Sequence, residues 1–546
     1  LLLTPIIANP ECSDPRQRVI VSAFSGVRED RPAIGDGAIG LDGSALVTLA
    51  KLGRLEAILT HPRGVALPHA TLSWLLLERQ ELPFHQPSRI AAAHELTRLM
   101  ANDKLHLFSP QGAVDAGLGD LVGRSLAAML VDAAATGEVD RPRYVIRSAK
   151  VTRAGSFLDE TVDLSAHAPA LRSCQALVDA LVLRGVVTEG EEEAARRYLE
   201  RAEERWPGEQ PIAQGADLYL DDLSVAYLRA TGMLGKIAAA GFRPFVSEQE
   251  LATAKALLEA ERRGGEMEAI VENLRQLLAE AIAAGTASLD RWLSEDGAKA
   301  HPNLAILQLA PKAAVVVSDD RHMNQYPHIE HGGGETPIWT SLDLLAALEE
   351  EGRLAREELW ADLTALRQYG YALMPSDEAE IAHYLSKSPV IEGKLVENAA
   401  LKAFRENLRL AQQRGLLVLS KENPWFARLL GDLARSIQAQ WTDEIVDEVA
   451  RARSHWLLAC ADMRNWAGCL EGDQSNIARY GAAITYARLL MNRVEPRTDA
   501  ALARMDAWLE ELMTDLHVEQ PDIHDWLVEH VRLAIAAHAK GAVDDD

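Results

Sequence analysis

Apolar residues recur at Leu46, Leu49, Leu52, Leu55 and Leu59, a helical spacing that predicts an amphipathic helix over 44–59. A short apolar strand runs into it through Ile39 and Leu41, and a second one, VALPHATL, begins at Val65. The same order returns near the middle of the chain. Leu41, Asp42, Leu49, Gly53, Leu55 and Ile58 correspond to Leu220, Asp221, Leu228, Gly232, Leu234 and Ile237 at a constant offset of 179. The match runs without a gap over 41–72, and the second strand reappears as PFVSEQEL from Pro244. A period this long exceeds any solenoid unit and signals domain duplication. Gly53 and Gly232 interrupt both copies of the helix, which predicts a break or a close approach there.

Elsewhere the pattern predicts helices over 87–102 and 121–136, with a strand at RYVIRSA from Arg143. Residues 151–212 read as mainly helical and linking, the glutamate run EGEEEAARRYLERAEERW being a solvated helix face. A charged helix over 254–284 precedes AAVVVSDD, a continuous β-branched run that reads as a buried parallel strand. TPIWTSLDLLAALEEEG adds a strand and a helix, and beyond Leu354 the chain is helical to its end. Strands alternating with helices predict parallel sheets. The expected fold is α/β: an N-terminal unit over 1–150, a helical linker over 151–212, a second unit over 213–352 and an α-helical region over 353–546.

Composition narrows the classes. A length of 546 residues leads us to expect about three or four domains. There is no apolar run of about 18 residues, so no membrane span is expected. The opening apolar stretch lacks a basic flank, so a leader is not expected either. A formal net charge of −25 disfavours capture of nucleic acid by the whole surface, while leaving room for a local basic groove. Cys12, Cys174, Cys460 and Cys469 have no C-x-x-C spacing, so neither a zinc site nor a disulfide framework is indicated, and a reducing cytoplasmic setting fits. His322, His328 and His331 match no standard zinc spacing, and Gly332 to Gly334 lack the Lys-Ser or Lys-Thr of a phosphate loop.

Chemistry concentrates at two acidic pairs. Asp221 and Asp222 end the strand LYL; Asp319 and Asp320 end the strand VVV. If both strands lie in one parallel sheet, their carboxyl ends share an edge and the four acids face one cleft. Clustered carboxylates repel one another, so such a set is kept chiefly to bind cations, and oxygen-only ligands suit Mg²⁺ or Mn²⁺. The competing account is that each aspartate caps the helix after its strand.

The runs LYLDDLSVAYL and VVVSDDRHMNQ resemble PIN-like domains, small α/β nucleases whose sheet edge gathers acids around divalent metal. With GSFLDETVDLS, RRYLERAEERWP, TSLDLL, LKAFRENL and ENPWF, the chain more narrowly resembles the PIN-like proteins of the bacterial TPR-GreAB-C-PIN system. The resemblance covers about two thirds of the chain. It implies two PIN-like three-layer units and a metal-dependent endoribonuclease of a bacterial defence or stress system. On this reading Asp221, Asp319 and Asp320 are catalytic with Arg321, and Asn324 contacts RNA. Asp221, Asp222, Glu250, Asp319 and Asp320 would hold Mg²⁺ or Mn²⁺. The family places an acid on the helix after the second strand where this chain has Thr253, and Glu250 one turn earlier is the substitute. Asp343 is a further member of the cluster or, with Ser341, part of a helix cap. The first copy reads as degenerate: Gly43 follows Asp42, Trp74 stands where the helix acid is expected, and Arg147 and Ser148 end its later strand, leaving Glu78 and Asp120 as remaining acids. The partners implied are single-stranded RNA and a TPR/GreAB-C-type protein, with no membrane; a homo-oligomer stays open. The alternative is a catalytically silent PIN-like scaffold that binds TPR-containing partners.

Overall fold

The computed structural model describes the chain apart from residues 1–2, 28–30, 83–84, 111–115, 136–140, 154–159, 291–301, 413–421, 468–473, 492–497 and 545–546. The start of the GSFLDETVDLS run therefore lies outside the described residues. In chain order the strands are β1 Ala38–Leu41, β2 Val65–Leu67, β3 His106–Phe108, β4 Arg143–Ile146, β5 Leu171–Arg172 and β6 Asp217–Leu220. They continue with β7 Arg243–Ser247, β8 Ala287–Leu289, β9 Ala313–Val317, β10 His328–His331, β11 Gly334–Trp339 and the small hairpin β12 Val390–Ile391 with β13 Lys394–Leu395.

Two sheets form, in the orders β10-β11-β9-β1-β2-β8 and β3-β7-β6-β4-β5. Pairing within them is parallel except for β10 against β11. The chain divides into two compact units: Leu1–Leu82 with Glu266–Asp546, and Pro83–Gly265. The fold is thus mixed α/β with parallel sheets and a helical C-terminal region. Beyond Leu354 the helices bury a core of their own around Trp425, Phe426, Trp441, Trp466 and Trp508.

This division corrects the boundaries expected from the sequence. Residues 151–212 are no linker: β5 and the helices Cys174–Leu183 and Glu189–Ala202 belong to the second unit, where Leu177, Val178, Leu181, Ala195 and Leu199 are buried with Leu218, Leu220 and Val246. Nor does the first unit end near 150 or the second begin at 213. The 37-residue helix Glu248–Ala284 carries the boundary at Gly264 and Gly265, residues of weak helix propensity.

The two sequence copies exchange strands. Counted within its own copy, with the antiparallel edge strand β10 set aside, β1 is the first strand and β2 the second; in the first unit they lie beside β8, β9 and β11, the third, fourth and fifth strands of the later copy. The other unit is the reciprocal, with β6 and β7 of the later copy beside β3, β4 and β5 of the earlier one. Both sheets share the order third, second, first, fourth, fifth, to which the first adds β10 at its edge. The registers also agree, Leu41 pairing with Val317 and Leu220 with Ile146. Every partner of Asp42 or Asp221 across the fourth strand therefore comes from the opposite copy.

The shared glycines resolve into breaks. Gly53 and Gly232 have φ of +70° and +72°, two residues past the helices Gly43–Lys51 and Asp222–Ala230, and no neighbouring atom lies within 4 Å of the Cβ position at either. They end the helix in the left-handed region, so the predicted helix over 44–59 is two pieces, Gly43–Lys51 and Leu55–Leu59.

Candidate functional site

In the first unit the carboxyl edge of the sheet brings Asp42, after β1, together with Ser318 and Asp319, after β9. Asp42 is fully buried and caps the helix Gly43–Lys51, accepting from the Ala45 amide at 2.8 Å. Its carboxylate also accepts from Ser44 Oγ at 2.7 Å and Ser318 Oγ at 2.5 Å. Asp319, 4% exposed, accepts from the Ser341 amide at 2.8 Å and the Ser341 hydroxyl at 2.7 Å, at the start of the helix Ser341–Glu350. The Thr48 hydroxyl also faces Asp319 and lies 2.8 Å from the Tyr371 hydroxyl. Burial pushes the Asp42 carboxyl up to about 6, with its hydrogen bonds opposing and the charge of Asp319 adding to the rise. Burial raises the Asp319 carboxyl as well, against the Ser341 and Thr48 hydroxyls. Asp343 forms a capping box with Thr340, accepting from its amide at 2.7 Å and its hydroxyl at 2.8 Å. The cap is Thr340 rather than Ser341.

The second unit places a cation where the first has Ser318. Asp221 follows β6 and caps the helix Asp222–Ala230, its Oδ1 accepting from the Ser224 amide at 2.8 Å. Its Oδ2 accepts from Arg147 Nη1 at 2.5 Å, and the same nitrogen lies 3.7 Å from Asp222 Oδ1. Arg147 is held from both sides of its backbone: Trp206 Nε1 donates to its carbonyl at 2.7 Å, and Ser224 Oγ to that of Ile146 at 2.5 Å. Asp221 is 6% exposed, and burial raises its carboxyl while the Arg147 charge pulls it down. Glu250 stands on the same edge; burial first, then the charges of Asp222 and Asp221, raises its carboxyl. An open cavity of about 370 Å³ is lined there by Arg124, Arg147, Asp221, Asp222, Gln249 and Glu250.

The two acidic pairs expected to share one cleft are therefore on separate sheets. Asp221, Asp222 and Glu250 come together in one unit; Asp319 and Asp320 belong to the other, where Asp42 joins Asp319. The residues expected to touch RNA are committed to the fold. Asn324 is fully buried: its Nδ2 donates to the carbonyls of Ala23 at 2.7 Å and Ser318 at 3.0 Å, and its Oδ1 accepts from the Ser25 amide at 3.1 Å. Arg321 pairs at 2.7 Å with Glu422, which is itself buried. Asp320 caps the short helix Arg321–Asn324 through the His322 amide at 2.9 Å. The DDRHMN run thus ties the carboxyl end of β9 to residues 23–25 and to Glu422. In the copy read as degenerate, Glu78 accepts from Trp74 Nε1 at 2.9 Å.

These donor sets do not fit a resident Mg²⁺ or Mn²⁺. All four carboxylate oxygens of Asp42 and Asp319 already accept from amides or hydroxyls, inside the protein. At Asp221 a guanidinium sits where an ion would have to approach. Among the described residues, no three carboxylates of either edge bring ligand oxygens within 4.8 Å of one another. The arrangement can terminate helices and hold adjacent strands in register. Sequence reasoning noticed Arg147 only as a missing acid. Its role becomes visible once Ile146 and Leu220 are paired, since the residues after them are then neighbours.

No family model, curated protein or solved structure matches the chain.

Proposed function

We propose that the protein is a catalytically silent PIN-like scaffold, built from two composite units and serving to bind a TPR-containing partner. The observation that carries this reading is the Arg147–Asp221 pair: a side chain of the protein supplies the positive charge that a nuclease of this type draws from a divalent ion. A charge-assisted bond of this kind, at low exposure, is strong and is not displaced without leaving a buried charge. The burial of Asp42 and Asp319 supports the same reading, because a phosphodiester has no route to groups that already serve two helix N-termini. The partner follows from the resemblance of the sequence to the TPR-GreAB-C-PIN system. The endoribonuclease reading needs Asp221 and Asp319 at one metal, and the separation of their strands between two sheets weighs against it.

A labelled single-stranded RNA incubated with the full chain and Mg²⁺ or Mn²⁺ tests the proposal. Expected is cleavage no greater than that of the Asp42→Asn/Asp221→Asn/Asp319→Asn variant, with no rise in melting temperature on adding Mn²⁺. Cleavage by the parent that this variant loses, while remaining folded, overturns it. Complex formation with a TPR-containing protein, followed by size-exclusion chromatography, tests the scaffold half.

A further inference from the structure

A second cluster of ligating groups lies in the C-terminal helices. His517 is in the last turn of the helix Asp499–Glu519, and His524 and the adjoining Asp525 are near the start of the helix Pro521–Asp544. His517 Nδ1 and His524 Nδ1 are 3.3 Å apart, and His524 Nδ1 is 3.4 Å from Asp525 Oδ1. One ligand atom from each of the three falls within 4.8 Å of the other two. The corner that presents them is well fixed. The Gln520 amide donates to the Leu516 carbonyl at 2.8 Å, and the His524 amide to the Gln520 carbonyl at 3.1 Å. Leu516, Ile523 and Leu527 are buried beneath it, and Arg479 pairs with Asp522 at 2.6 Å.

These distances have a chemical reading. Zinc binds imidazole nitrogen at about 2.0–2.1 Å in a tetrahedron, whose edge is then about 3.3–3.4 Å. The two separations at His524 Nδ1 match that edge, and the His517–Asp525 pair lies within 4.8 Å. In the absence of an ion, a single proton on His524 Nδ1 has to serve both neighbours, whereas one cation takes a lone pair from each of the three groups. Two imidazoles with one carboxylate select a late transition ion over Mg²⁺ or Mn²⁺, which prefer oxygen. We propose that His517, His524 and Asp525 bind a divalent ion of the zinc class, which fastens the two C-terminal helices at their corner and leaves a fourth coordination position for water. The site is independent of the acids at the sheet edges and of their function.

The test is calorimetric titration of the metal-free full chain with Zn²⁺, with Mg²⁺ as the contrasting ion. Expected is one zinc site that His517→Ala and His524→Ala each weaken beyond the roughly 10–100-fold typical of losing an outer-shell partner. Asp525→Asn, an exposed and isosteric change, should weaken it too, while His530→Ala on the same helix leaves it unchanged. Zinc should also slow amide exchange in the first turn of the helix Pro521–Asp544. Titration with Co²⁺ should produce the intense visible absorption of a tetrahedral site, and Asp525→Asn should alter it. Zinc binding that survives all three ligand substitutions, or an equal response to Mg²⁺, overturns the proposal.

Discussion

Asp42 and Asp221 hold the same position in the two units: each follows the first strand, each caps the next helix, and each is buried. They differ in what lies across the fourth strand. Asp42 meets the hydroxyl of Ser318, one of the dipoles that only partly offset its burial, and its carboxyl rises to about 6. Asp221 meets the guanidinium of Arg147, whose charge pulls against the rise that burial causes. A similar substitution runs along the fifth strand. In the first unit Asp319 caps Ser341, whereas in the second Ser148 stands at its place and Glu203, from a distant turn, accepts from the Cys174 amide at 2.7 Å and the Gln175 amide at 3.0 Å. The lesson is that one backbone demand, a carboxylate at a helix N-terminus beside a parallel sheet, can be met with a neutral or a charged neighbour. In each unit the buried aspartate is committed to a helix N-terminus.

The strongest way to break this comparison is to separate the units. Residues 83–265 form a contiguous chain whose strands and buried core are internal to it. Expressed alone, this segment should unfold in one cooperative transition, followed by circular dichroism; residues 1–150, which lack β9 beside β1, β7 beside β3, and β5 and β6 beside β4, should not. A cooperative transition from 1–150 would restore the sequence-based boundaries and dissolve the exchange of strands.

Arg147→Ala comes next in size. It leaves Asp221 buried and unpaired, a loss of about 3–5 kcal/mol, read from urea unfolding of residues 83–265. The double variant Arg147→Ala/Asp221→Asn should recover much of it, because the cost lies in the charge. A loss equal in single and double variants would mean that the guanidinium acts through packing.

Asp42→Asn sharpens the contrast through pH. The folded carboxyl titrates near 6 against an ordinary 3.8, so the native state holds the proton more tightly. Ionisation therefore opposes folding: stability falls as pH rises from about 4 to about 6 and the difference is constant above, amounting to roughly 3 kcal/mol. Asp42→Asn should remove that part of the slope, so parent and variant, measured by denaturant unfolding of the full chain, converge at pH 4 and separate in the variant's favour at pH 7. Parallel pH profiles would show that Asp42 is as comfortable charged in the fold as outside it.

Much was legible in the residues. The alternation of apolar runs marked β1, β2, β4, β6, β9 and β11, and the LD step at the end of β1 and β6 marked two helix caps. Capping, the plainer account of the aspartates, is what Asp42, Asp221 and Asp320 do, and Asp319 serves a helix on the neighbouring strand. What the residues did not carry was which acids meet. Sequence order groups Asp319 with Asp221 because both lie in the later copy, and the PIN-like resemblance of the DDRHMN run places Asn324 at substrate. In the fold Asn324 satisfies backbone groups around residues 23–25 and beside β9, a demand that nothing near it in sequence announces.

Period and composition determined the local elements of this protein, the duplication at an offset of 179 and the positions where strands give way to helices, because those depend on neighbours a few residues away. The pairing of strands was decided only by the tertiary structure. Two copies of similar strands present similar edges, and parallel strands joined by long crossovers take their partners from non-local contacts that local pattern does not encode. By exchanging their third to fifth strands, the copies brought Asp42 to Ser318 and Asp319, and Asp221 to Arg147, which settled the neighbours of these buried aspartates.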